Sequence, residues 1–134
     1  MAMSPRGAEA YRRTEAQSSS PLGLVVMLYD GAIKFTLEAR EAIARDDVGA
    51  RTTAVSRALA IIAELQNTLN VKDGGEVARE LDRLYAYMSA RLFDVTARAD
   101  DEAAKEVQKL LTTLREGWSQ IAGHAGVGTG TGRR

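Results

Sequence analysis

Proline occurs at Pro5 and Pro21 and nowhere after, so the rest of the chain carries no residue that forces a helix to stop. What interrupts it instead is a set of short polar or glycine clusters, at Asp46-Asp47, Gly74-Gly75 and Asp100-Asp101. Between these points apolar residues recur three and four positions apart, the spacing of one face of a helix and not the alternation of a strand. Four helices joined by loops of a few residues are predicted. Short loops between helices of similar length impose antiparallel neighbours, so the expected fold class is all-α, an antiparallel up-down four-helix bundle.

Each helix carries its own boundary signals. Ser20 reads as an N-cap with Pro21 at the first helical position, where a missing N–H costs nothing, and the first helix is predicted to reach about Arg45. Asp46-Asp47 reads as turn and cap for a second helix to about Asn70, with Val48, Thr52, Val55, Leu59, Ile62 and Leu69 on one face. Asp73 and Glu76 stand at capping-box spacing around Gly74-Gly75. The third helix then runs to about Arg98 on a seam of Val77, Leu81, Leu84, Met88, Leu92 and Val95. The fourth starts at Asp100 or Asp101, packs through Val107, Leu111, Leu114, Trp118 and Ile121, and is expected to end near Gly123. The resulting division is an N-terminal arm (1–19), the bundle (20–122) and a Gly/Thr-rich tail (123–134) expected to be disordered.

Composition narrows the function. Eighteen basic side chains balance 18 acidic ones, so no net field favours nucleic acid or an anionic membrane. The absence of cysteine removes disulfides, thiolate metal sites and cysteine nucleophiles together. The single histidine, His124, lies in the tail, which leaves no imidazole for acid–base work or a metal site in the bundle, and no cofactor is expected. The longest apolar run, Leu24 to Tyr29, is far short of the roughly 20 residues that cross a bilayer. Met1 to Gly7 is polar, unlike a secretory signal, so a cytoplasmic protein is expected.

One surface is richer in apolar residues than a core requires. On a helical wheel Leu22, Val25, Val26, Tyr29, Ile33 and Leu37 share the first helix's core face, but Leu24, Leu28 and Phe35, with Met27 nearby, fall on another side. In the second helix Ile61 and Leu65 also lie off the main stripe. These residues either touch two neighbours in the bundle or form a groove for a partner's amphipathic helix, and periodicity alone does not choose. Gly31, in mid-helix, either permits close approach of another backbone or is tolerated by chance. Tyr11, in an otherwise polar arm, is either an exposed aromatic or an anchor that docks the arm. Charge runs such as Arg12-Arg13 and Asp100-Asp101-Glu102 read as solvated faces and caps. A helical mutase of the chorismate type would need cations pointing inward, yet Arg40, Arg51, Arg79 and Arg98 fall off the apolar stripes and only Arg91 sits near a seam. A binding protein is expected, not an enzyme, with a self-associating helical adaptor as the alternative.

Four segments, in order, resemble one family. Ser20-Pro21 through Met27-Leu28-Tyr29-Asp30-Gly31-Ala32-Ile33 is similar to the opening of the flagellar export chaperones (FliS). Leu69 through Ala78 resembles their inter-helix turn, Tyr85-Ala86-Tyr87-Met88 with Arg91-Leu92 their third helix, and Leu114-Arg115-Glu116-Gly117-Trp118 their closing helix. The family often has Glu or Gln three residues after the Ser of Ser-Pro; Gly23 stands there in this chain and removes that half of the capping box. The resemblance implies a cytoplasmic bundle that binds the disordered C-terminal segment of flagellin one to one and hides its polymerising surface until export; the expected contacts are Tyr11 of the arm and the residues that the helical wheel sets off the core stripes, Leu24, Leu28, Phe35, Ile61 and Leu65. It implies that the arm with Tyr11 lies near the binding surface, and it leaves open further flagellar partners and whether the protein is a monomer or a weak homodimer.

Overall fold

The computed structural model describes the backbone of residues 20–69 and 71–128 and the side chains of 20–69 and 74–121. Four helices follow one another: α1 (Pro21–Ala44), α2 (Val48–Thr68), α3 (Val71–Arg98) and α4 (Asp101–Gly128). α1 packs on α2 and α4, and α3 closes the ring against the same two helices, an up-down-up-down bundle. The expected arm, 1–19, and the end of the expected tail, 129–134, lie outside the described residues.

The boundaries follow from local chemistry. Ser20 Oγ accepts from the Gly23 N–H at 2.9 Å, so one half of the capping box stands although Gly23 lacks the side chain for the other. Asp47 and Asp100 cap α2 and α4 by accepting from the N–H groups of Ala50 and Ala103, each at 3.0 Å. α1 ends in a Schellman motif. Asp46 takes the left-handed conformation at φ 55°, its N–H donates to Ile43 O, and the Asp47 N–H reaches back to Ala42 O. Ala99 does the same job after α3 at φ 52°, with its N–H on Val95 O at 2.9 Å.

The Gly74-Gly75 break stands where it was expected and separates a short helical turn from the long helix that follows. A turn of helix already covers the residues after Val71, and the axis changes direction at Gly75, whose φ of 57° and ψ of −130° are not helical. The side chain of Asp73, the expected cap, is not among those described. α4 passes its expected end near Gly123 and continues to Gly128, since the glycines there weaken the helix without removing an N–H as proline would.

The buried side chains are small at one end of the bundle and large at the other, called here its narrow and wide ends. Around the turns that join α1 to α2 and α3 to α4, Ala39, Ala42, Ala54, Ala103 and Ala104 are buried and let the helices approach closely. Toward the start of α1 and α3 the buried side chains are Tyr29, Ile62, Leu65 and Tyr85, which hold the same helices apart. The alanines also set which face of each helix points inward. α1 turns Val26, Tyr29, Ala32, Thr36, Ala39 and Ala42 to the core, so Leu37, expected inside, is 42% exposed. α2 buries Ala54, Val55, Ala58, Ile62 and Leu65 and leaves Val48 in solvent. Thr36 is satisfied within its own helix, donating to Ala32 O at 2.8 Å.

Candidate functional site

At the wide end the helices do not close over their own apolar residues, and a groove of about 480 Å³ remains. The start of α1 contributes Pro21, Leu22, Leu24 and Val25, and the end of α2 contributes Thr68 and Leu69. The start of α3 supplies Gly74, Val77, Ala78, Leu81 and Tyr85, and Trp118 of α4 closes the far side. Gly74 is there because a Cβ at that position would stand 2.8 Å from the Ala78 Cβ. Val77 is 69% exposed and Leu24 49%, so large apolar side chains face open space where a core stripe would have covered them.

Among the described residues no charged side chain lines the groove. Its polar side-chain groups are the hydroxyls of Thr68 and Tyr85 and the indole N–H of Trp118, each engaged with the protein. Thr68 Oγ1 donates to Leu65 O at 2.6 Å. Behind the wall, the Tyr29 and Tyr85 hydroxyls are hydrogen-bonded to each other, and the Trp118 indole N–H donates to Tyr29 Oη at 3.2 Å. Burial raises the pKa of both tyrosines above the ordinary phenol value, so both are neutral at physiological pH. Among the described residues no group of His, Cys, Asp or Glu could hold a metal, and no helix is long and apolar enough to cross a membrane. An apolar trough of this kind can bind and desolvate an apolar segment and offers no acid, base or nucleophile to transform it.

From Leu24 an apolar strip continues along the seam of α1 and α2, through Leu28 and Ile61 to Phe35, about 16 Å at the helical rise per residue. Leu28, Phe35 and Ile61 are half-buried and packed against the core. The seam is close because of Gly31: a Cβ there would come within 2.9 Å of Ile61 Cδ1, so the approach that this glycine permits is by a side chain. Lys34 and Arg57 hold their charges 5.3 and 5.7 Å from the Phe35 ring.

Of the site residues expected from sequence, Leu24 alone lines the groove; Leu28, Phe35 and Ile61 extend from it, and Tyr11 lies outside the described residues. Leu65 is a correction. It is fully buried, because the alanines at 54 and 58 rotate the inner face of α2 until Leu65 stands at its centre. Leu22, Val25, Val77, Leu81 and Trp118 were expected as core; all five line the groove, Leu81 as a member of the core cluster and Val25 and Trp118 packed against it. Leu22, Val25 and Val77 stand within the first two turns of their helices, a position that could have signalled it; Leu81 and Trp118 carry no such signal.

The arginines are occupied elsewhere. Arg91, the cation near a seam, bonds Glu106 at 2.8 Å and Asp94 at 3.0 Å, and Tyr87 donates to the same Glu106 at 2.7 Å. Those two hydrogen bonds, from Tyr87 and then Arg91, hold the Glu106 carboxyl below the usual range. Arg40 ties α1 to Asp101 and Gln108 of α4, Arg115 ties α4 to Asp30 of α1, and Arg51 caps α3 through Thr96 O. None points into an enclosed cavity, as a mutase would require.

Known proteins share this sequence pattern through most of its length. The profile described as "Flagellar protein FliS" matches residues 4–125. The flagellar secretion chaperone FliS of Salmonella typhimurium is 38% identical over 121 residues, 87% of this chain and 90% of its own. Flagellar secretion chaperone FliSB of Pseudomonas aeruginosa is 36% identical over 110 residues, 81% of this chain and 87% of its own. FliS of Bacillus subtilis is 32% identical over 111 residues, covering 83% and 82%. These relatives are named as chaperones, in keeping with a groove that lacks catalytic groups. With the match spanning all four helices and the residues that form the groove, the chain belongs to the FliS family of flagellar proteins.

Proposed function

We propose that this protein is a flagellar secretion chaperone that binds the disordered C-terminal region of flagellin in the cytoplasm, prevents its premature polymerisation and assists its export. The observation that carries this reading is the uncharged groove at the wide end of the bundle, continuous with the strip from Leu24 to Phe35. A disordered segment that folds as amphipathic helices on such a surface would bury its own apolar face there and keep it from other copies of itself. Leu24, Leu28, Phe35 and Ile61 are the proposed contacts, joined by Val77 and Trp118. The arm reaches the bundle at Pro21 on the groove's rim, which suits a displaceable arm that uses Tyr11 as its anchor.

The test is calorimetric titration of the full chain with the C-terminal segment of flagellin from the same organism. Expected is tight one-to-one binding with a negative heat-capacity change, the mark of apolar burial. Leu24→Asp places a charge on an exposed rim position, so it should fold with unchanged helical circular dichroism and lose about tenfold or more in affinity, the cost of desolvating the carboxylate. No binding by the wild type at micromolar concentration would overturn the reading and favour a self-associating adaptor.

A further inference from the structure

The apolar strip on the seam of α1 and α2 is uncharged at one end and cationic at the other. Where it meets the groove, at Leu24, the lining carries no charge among the described residues. Where it ends, at Phe35, one cation from each helix borders it: Lys34 Nζ stands 5.3 Å from the centre of the Phe35 ring and the Arg57 guanidinium 5.7 Å. Both residues are exposed, and the ring they border is half-buried. Neither cation is committed to a carboxylate among the described residues, whereas Arg40, Arg91 and Arg115 each are. Glu38, one turn along α1 from Lys34, and Glu64, two turns along α2 from Arg57, make no salt bridge with them. With both charges so close to one ring centre, they also repel each other across no more than about the Debye length of dilute salt.

We propose that Lys34 and Arg57 receive an acidic side chain of the bound flagellin segment at the Phe35 end of the strip, and so fix the direction in which that segment lies. This rests on the chaperone reading above and adds to it a specificity site. A segment that covers the Phe35 ring must displace water from the two cations beside it, and removing water from an unpaired charge is costly. A carboxylate offsets that cost and relieves the repulsion between the cations; an apolar or basic residue at that place does neither. The groove sets the opposite requirement, since its uncharged lining suits apolar side chains alone. From Leu24 to Phe35 the strip is about 16 Å long, a distance that a docked helix covers in about eleven residues of its own. The matching segment therefore carries an Asp or Glu about three turns from the apolar residues that fill the groove. Laid in reverse, the same segment would bring its carboxylate into the uncharged groove.

Two double variants separate a contact at this site from the field of the whole molecule. Lys34→Gln with Arg57→Gln removes both charges at exposed positions, so the protein should keep its helical circular dichroism. Lys105→Gln with Lys109→Gln removes the same net charge from the seam of α1 and α4. In the titration with the flagellin segment at low salt, the first should bind about three- to tenfold more weakly than the wild type, and the second like the wild type. The loss should shrink toward 1 M salt, where the Debye length falls to about 3 Å. Equal weakening by both pairs, or none by the first, overturns the proposal and leaves the chaperone reading standing; a wild type that does not bind removes both. Flagellin segments with single amide substitutions of their acidic residues are also titrated against the intact protein. One position should weaken binding by a similar factor, and in the protein lacking both cations that substitution should have no further effect. A flat profile, or a loss produced only by amidating the chain end, overturns the proposal.

Discussion

Three residues hold backbone conformations that decide where the helices turn, and they differ in how well their side chains suit them. Gly75 sits at φ 57° and ψ −130°, a conformation open to glycine and strained for any residue with a Cβ, even though there is empty space around it. Gly75→Ala is expected to destabilise the fold by about 1 to 3 kcal/mol through backbone strain alone. Ala99 is the opposite case, an alanine where the left-handed turn after α3 would suit glycine. Ala99→Gly should stabilise by about 0.5 to 1 kcal/mol, the left-handed penalty less the added flexibility of glycine in the unfolded chain. Denaturant titration of the two variants against the wild type reads both signs in one experiment. Asp46, at φ 55°, tolerates the same conformation more readily because a short polar side chain can bond locally.

Between elements, polar ties on the outside complement the apolar core, and the tie from α3 to α4 shifts the titration of its carboxylate. Tyr87 and Arg91 both bond Glu106, and they lower its pKa when the protein folds. A group with a depressed folded pKa adds stability that is present above the ordinary carboxylate value and is lost as pH falls through the folded value. Glu106→Gln removes the titration but keeps an acceptor. Melting temperatures of wild type and variant should therefore differ at neutral pH, keep that difference down to the ordinary carboxylate range and converge below it; a difference that persists at pH well below that range would show that Glu106 does not carry it. The starts of α1, α2 and α4 were legible in the sequence, because Ser20, Asp47 and Asp100 cap by side-chain chemistry that a sequence displays. Inner faces were less legible. Alanines at 32, 39, 42, 54 and 58 do not stand out in an apolar stripe, yet they set the rotation of α1 and α2, which is why Leu37 lies outside and Leu65 inside. The groove was least legible of all, since Leu22, Val77 and Trp118 match the pattern of core residues, yet they line an open groove and Val77 is largely exposed.

For the molecule as a whole, the taper of the core ties fold to site: alanines draw the helices together at one end, and the tyrosines and tryptophan spread them at the other, so the groove is a consequence of packing and not of a separate element. The two ends should then respond in opposite ways to added volume. Ala104 is fully buried at the narrow end, and Ala104→Leu adds bulk where neighbouring helices are already in contact, with an expected cost of about 1 to 3 kcal/mol or more. Val25 is half-buried on the wall of a groove of about 480 Å³, so the larger ring of Val25→Phe has room to enter and unfolding stability should change by about 0.5 kcal/mol or less. The same ring occupies space that a bound segment would need, so Val25→Phe should weaken binding of the flagellin segment while Ala104→Leu, where still folded, leaves the groove end unaltered and binds normally. Thermal unfolding and titration on both variants give four readings that must cross: stability lost without affinity at the narrow end, affinity lost without stability at the wide end. If Val25→Phe proved as destabilising as Ala104→Leu, the wide end would be packed as tightly as the narrow one, and the groove could not be the place where a partner enters.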